Sequence, residues 1–218
     1  MARCMVCVLL ALLCAAQAVA QPADGRIVLR GLDGDDIVVP VTGPGRDPRA
    51  EQLAREIQAL DRQIAAGTGA TRTDPVQAEL LKMAREARNE ALSDLGLALA
   101  VVSKTSAGAL DDETMDRAKE SARSAAAILN TQPPSSILVA TDISTPLPEA
   151  RLHYMSKQQY RLRSKEWSSY TARERLQIGR YVFRVQPADS SAKPFEELVL
   201  VLSDPTQKRL TPVGDATP

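Results

Sequence analysis

Cysteine is almost missing from this chain. Cys4, Cys7 and Cys14 are the three present, all within the first 14 residues. Beyond them no disulfide, thiol nucleophile or thiolate metal site can form. Histidine is scarcer still, with His153 alone, so a His/Cys metal cluster and a Cys–His dyad are excluded there, and a Ser-His-Asp triad would have to use that one residue. No Gly-x-Ser-x-Gly elbow, phosphate loop or His-Glu-x-x-His is present. Beside Arg151 and Met155 on an alternating segment, His153 reads as a surface histidine. The acidic "DGDD", Asp33 to Asp36, lacks the spacing and closing glutamate of a calcium loop and reads as a turn. The expectation is a noncatalytic protein without cofactor, metal or catalytic residues.

Long apolar runs are also lacking after residue 20. The opening "MARCMVCVLLALLCAAQAVA" places Arg3 before an apolar run and closes on Ala18-Val19-Ala20, the pattern of a secretory signal peptide whose removal leaves Gln21 first. A rival reading makes Cys14 an acylated N-terminus, but Leu13 stands where lipoprotein signals carry a small residue. No later stretch is long and apolar enough for a transmembrane helix. A secreted or periplasmic protein is expected, and the shortage of disulfides fits a bacterial periplasm better than an animal extracellular space.

The 218 residues carry no net charge, yet the halves differ. Residues 21–135 hold 14 basic and 18 acidic side chains, a balance of −4, whereas residues 136–218 hold 12 and 9, a balance of +3. Structural periodicity changes at nearly the same place. In residues 21–46 two β-branched runs, Ile27 to Arg30 and Ile37 to Val41, flank Asp33-Gly34 and predict a hairpin, which must pack on either the C-terminal sheet or the helices. Residues 47–130 read as helices. Asp47-Pro48 opens the first, with Ala50, Leu53, Ile57, Leu60 and Ile64 as a coiled-coil-like seam, and Gly67 closes it. Asp74-Pro75 opens the second, with Val76, Leu80, Met83, Ala87, Ala91, Leu95 and Val102 on one face. The third starts near Asp111 and carries Met115, Ala118, Ala122, Ala125 and Leu129. These seams suit either internal packing or a partner, including a second copy of the chain.

Residues 131–136 contain Pro133-Pro134 and read as a linker. Residues 137–213 then predict strands and a small antiparallel β-sandwich, and 214–218 a disordered tail. Ile137 to Ala140 opens the sheet. From Ala150 to Arg163, Leu152, Tyr154, Tyr160 and Leu162 share parity against Arg151, His153, Arg161 and Arg163. Tyr181, Phe183 and Val185 repeat that alternation against Arg180 and Arg184, and the doubly apolar Glu197 to Leu202 predicts a central strand. The fold class expected is α+β.

Leu176, Gly179, Tyr181, Phe183 and Val185 resemble the "L-x-x-G-x-Y-x-V-x-V" segment of PEGA-type domains, prealbumin-like sandwiches related in shape to carboxypeptidase regulatory modules. Pro148, Ala150, Leu152 and Tyr154 are similar to that family's first hairpin, although a "RSKEWSSYTARE" insertion interrupts the likeness. The resemblance implies a noncatalytic accessory module on a surface or envelope protein. Independently of it, Gly179 suits a positive φ or a close turn, and Tyr181 a buried ring with a bonded hydroxyl.

The functional signal is charge. From Arg151 to Arg184 nine Lys/Arg face two Glu, a local excess of +7. Arg151, His153, Arg161, Arg163, Arg180 and Arg184 form the candidate binding face, with Trp167 and Tyr170 nearby. It suits an anionic envelope polymer or an acidic protein partner, and nucleic acid is excluded for a secreted, overall neutral chain. The competing readings are a solvated polar face paired with the acidic helices, and an envelope hydrolase or its accessory subunit without a recognisable motif.

Overall fold

The computed structural model describes residues 25–31, 34, 36–43, 45–68, 74–104, 110–189 and 192–212, with the side chains of 101–104 outside that description. The expected signal peptide, tail and Val102 contact, together with Asp33 and Asp35 of the acidic turn, lie outside the described residues.

The fold is α+β, a hairpin and a helical region followed by strands. Strands β1 (Arg26–Arg30) and β2 (Asp36–Pro40) pair antiparallel, and Gly34 has the positive φ, 86°, that the tight connection requires. The hairpin packs on the helices. Ile27, Leu29 and Val39 point into the core, and Ile37 lies so close over Gly96 that an added Cβ there would come to 2.9 Å from its Cδ1.

Each of the three long helices, α1 (Pro48–Thr68), α2 (Pro75–Lys104) and α3 (Asp112–Leu129), follows an aspartate. Asp47 accepts from the Arg49 amide, Asp74 from the Val76 amide and Asp111 from the Thr114 amide, at 2.7, 2.9 and 3.2 Å. These carboxylates satisfy N–H groups that the first helical turn leaves unpaired. All five seam residues of α1 are buried. In α2 the expected seam from Val76 to Leu95 is buried, and so is a second row containing Leu81, Ala84, Arg88 and Leu92. Two buried rows make α2 the central helix. In α3 it is Ile128 that is fully buried, with Leu129 only packed against the core. Among the described residues no helix is long and apolar enough to cross a membrane.

The remaining strands form two sheets. One has the order β6 (Arg175–Gln177), β3 (Leu138–Ser144), β9 (Thr206–Arg209); the other has β5 (Ser168–Ser169), β4 (Arg151–Ser156), β7 (Gly179–Gln186), β8 (Phe195–Val201). Val139, Thr141 and Ile143 alternate inward from the first sheet, and Phe183, Val185, Val199 and Val201 are buried from the second. One continuous cluster of buried apolar side chains runs from the hairpin through the helices into this sandwich.

Four features differ from the sequence expectation. The segment 150–163 is not one strand: β4 stops at Ser156, where a reciprocal capping box with Gln159 starts a short helix, α4 (Lys157–Arg161). The Ser-x-x-Gln spacing that builds this box is visible in the sequence. The Pro148 segment is not a hairpin, because β3 and β4 belong to different sheets. Strand β8 is an edge strand rather than a central one, its outward residues Leu198 and Leu200 being half-buried. Finally, β3 and β9 pair in parallel.

The decapeptide Leu176 to Val185 is the corner of the sandwich. Leu176 belongs to β6 in one sheet, and from Gly179 onward the chain is β7 in the other. Gly179 is needed for close approach rather than for a positive φ: a Cβ there would meet the Tyr181 ring at 2.7 Å. The ring is held against the corner by its hydroxyl, which donates to the Gln177 carbonyl at 3.1 Å. It meets Tyr154 edge-on, and Tyr154 in turn stacks on Phe183 and meets Tyr170 edge-on. Tyr170 reaches across the sandwich, where its hydroxyl donates to the Thr141 carbonyl at 2.9 Å and accepts from the Ile143 amide at 3.1 Å.

Gly179→Ala is therefore expected to cost about 1–3 kcal/mol through overpacking. Chemical denaturation of a double-mutant cycle checks the cause: Gly179→Ala should cost almost nothing in a Tyr181→Ala background, where the colliding ring is gone.

Candidate functional site

The cross-strand register places Arg151, His153, Arg180 and Arg184 on one face of the four-stranded sheet, with His153 opposite Arg184. That face is not open. Met155 and Val182 between them are buried, and so is Arg180. Arg161 and Arg163 have left the strand: Arg161 ends α4, and Arg163 follows it with a φ of 55°. His153 lines a shallow hollow of about 340 Å³ with Ile143, Ala150, Tyr170 and Ala172, and no carboxylate borders it.

The basic residues instead meet the acidic helices. Arg180 Nη2 donates to Glu90 Oε2 at 2.8 Å, with the two side chains only 5% and 15% exposed. Arg161 Nη1 lies 3.4 Å from Glu90 Oε1, and the Ser121 hydroxyl donates to Oε2 at 3.5 Å. One carboxylate on α2 therefore touches α3, α4 and β7. Burial of such a pair is costly unless every polar atom is satisfied, and here Arg180 Nε is buried without a hydrogen-bond partner. Arg184 is committed elsewhere. Its guanidinium donates to Glu196 through Nε at 2.8 Å and Nη2 at 2.5 Å, and stacks on Trp167 with 4.1 Å between Cζ and the ring centroid.

On either side of the Glu90 contact the junction opens into a hollow. One, of about 610 Å³, runs along α2 past Met83 and Glu86 to Leu162 and Tyr181. The other, of about 630 Å³, is the candidate functional site. Its helical wall carries Asp94, Arg117 and Glu120, and its sandwich wall Lys157, Tyr160, Arg163, Trp167 and Arg184. Tyr160 and Trp167 meet edge-to-face at 6.3 Å. Among the described residues, no hydrogen bond or ion pair engages the side chains of Asp94, Glu120 or Arg163, and the Trp167 indole N–H has no hydrogen-bond acceptor. Lys157 lies over the Tyr160 ring at 5.6 Å. Burial holds the Asp94 carboxyl above its ordinary pKa, aided by the Glu90 charge and opposed by Arg161, Arg117 and Lys157. Burial and the bond to Glu174 push the Tyr154 hydroxyl up to about 12, so it stays a neutral donor in the core. Among the described residues there is no group of three His, Cys, Asp or Glu close enough to hold a metal ion.

Glu90 and Asp94 were not among the sequence candidates. Their signal is the i,i+4 spacing of two acids off the seam of a long helix, in the half of the chain whose charge opposes that of the sandwich.

Removing the acid of the buried pair leaves Arg180 charged and unanswered, so Glu90→Gln is expected to destabilise the fold by about 3–5 kcal/mol. Adding Arg180→Met should recover most of that loss in the same denaturation measurement. Asp94 behaves in the opposite sense. Its raised pKa in the folded state means that ionisation opposes folding, a penalty absent below the unfolded pKa and complete above the folded one. Asp94→Asn should therefore melt higher than the parent at pH 7 and at the same temperature at pH 3.

No family model, no curated protein and no solved structure matches the chain, so the functional argument rests on the geometry of these residues.

Proposed function

We propose that this is a noncatalytic interaction or structural protein of the secreted or periplasmic space, which holds an anionic envelope component or acidic partner at the junction between its helices and its sandwich. One observation carries the reading. Arg161 and Arg180 face Glu90 and Arg184 faces Glu196, while Lys157 and Arg163 border the 630 Å³ cleft without a carboxylate in ion-pair range. Uncompensated cations at a concave surface attract anions more strongly than the same charges on a flat one, because low-dielectric walls focus their field. Of the expected face only Arg163 is kept in this reading, joined by Lys157 of α4, and neither lies on the sheet. The PEGA resemblance supports an accessory, noncatalytic role.

The test uses a soluble polyanion such as polyglutamate. Lys157→Glu with Arg163→Glu should weaken binding roughly tenfold, about 1.4 kcal/mol, at ~0.1 M salt. The difference should shrink at 1 M, where the screening length falls from about 10 Å to about 3 Å. Arg163 is exposed and Lys157 half-buried over the Tyr160 ring, so stability, read from the melting curve, should stay within about 1 kcal/mol of the parent. Binding that ignores both substitutions would remove this reading.

A further inference from the structure

The cleft has a composition that narrows its ligand. Its sandwich wall offers donors: Lys157, Arg163 and the free indole N–H of Trp167. Its helical wall offers acceptors, the carboxylates of Asp94 and Glu120, while the cation of that wall, Arg117, is engaged by Glu113 and the Thr114 hydroxyl. A ligand bearing only negative charge would satisfy the first wall and be repelled by the second. A neutral polyol would satisfy the carboxylates and leave the cations unanswered. A bilayer, being flat, cannot enter the hollow. What suits both walls is a molecule with carboxylates for the cations, hydroxyl donors for the two acids and an apolar face for Tyr160 and Trp167. The volume of about 630 Å³ lies within the ~300–1,000 Å³ of small-molecule sites. It admits a short ligand and excludes a folded one.

Resting on the anion-binding reading above, we infer that the cleft between Asp94 and Glu120 on the helices and Lys157, Arg163 and Trp167 on the sandwich takes a short acidic saccharide. Sugar carboxylates lie against Lys157 and Arg163. Ring hydroxyls donate to Asp94 and Glu120, and the C–H face of one sugar packs against the Tyr160–Trp167 pair. Asp94 separates this inference from simple charge attraction. As a hydroxyl acceptor it strengthens binding, whereas as a bare negative charge it weakens the binding of any anion.

Isothermal titration of the full chain with three probes of equal length tests the inference: trigalacturonate, neutral maltotriose and triglutamate. Trigalacturonate should bind at least tenfold more tightly than either of the others. Asp94→Ala, Arg163→Glu and Trp167→Ala should each weaken it about tenfold. If Trp167→Ala fails to fold after losing its stack with Arg184, Asp94→Ala and Arg163→Glu still decide. Tighter binding of trigalacturonate by Asp94→Ala would overturn the saccharide assignment. So would triglutamate binding as well as trigalacturonate, although a dependence on Lys157 and Arg163 would then leave the broader anion reading standing. Failure of the parent protein to bind any anionic probe would remove both.

Discussion

A buried charge must be answered by another charge or by several hydrogen bonds, and Glu90 is where this molecule meets that demand. Its carboxylate lies within reach of Arg180 on β7, Arg161 on α4 and Ser121 on α3. The placement of the sandwich against the helices follows from that requirement. Apolar packing is non-directional and would tolerate the two layers sliding past one another. A carboxylate shared by two guanidinium groups tolerates very little. The apolar cluster supplies adhesion and Glu90 supplies register. The hollows flank that contact, and the candidate site takes Asp94, Arg117 and Glu120 from the helices and Lys157, Arg163 and Arg184 from the sandwich side.

The difference in charge between the halves of the chain acquires a physical meaning here. Counted along the sequence it resembles a preference for external anions. In the folded molecule part of it is spent internally, Arg180 and Arg161 of the basic half on Glu90 of the acidic one, while Arg88 of α2 with Asp61 of α1 and Arg49 with Asp112 of α3 pair charges inside the acidic half. Arg88 Nη2 also donates to the Arg30 carbonyl at 3.3 Å, tying the hairpin to the same network. What stays unpaired is a remainder of this pairing, set by the fold and not by the composition.

How far the sequence could be read depended on how local each interaction is. The Asp-capped helix starts and the α1 seam follow from neighbours three or four residues apart, and these are observed. The alternation of Tyr181, Phe183 and Val185 identified β7 for the same reason. The errors arose where a local signal was outweighed or overlooked. Apolar residues on both faces of β8 suggested a central strand, but they reflect coverage of its outer face by other parts of the molecule. Alternation carried the expected strand past Ser156, although the capping box turns the chain there and leaves Leu162 75% and Tyr160 39% exposed. The site was legible only in part. Arg163 and Trp167 stood out in a basic segment, whereas Asp94 becomes important only once α2 is laid beside α4.

The parallel pairing of β3 with β9 joins Thr141 to Thr206 across almost the whole sandwich sequence. During synthesis on a ribosome, the caps and helix pairs can form as their residues emerge, but β3 must wait for the last strand before that edge is covered. Until then its unpaired N–H and C=O groups form an adhesive edge. Strand β9 thus completes the three-stranded sheet after every residue of the cleft has been made. A chain that stops before Thr206 would lose that pairing without losing any residue of the cleft.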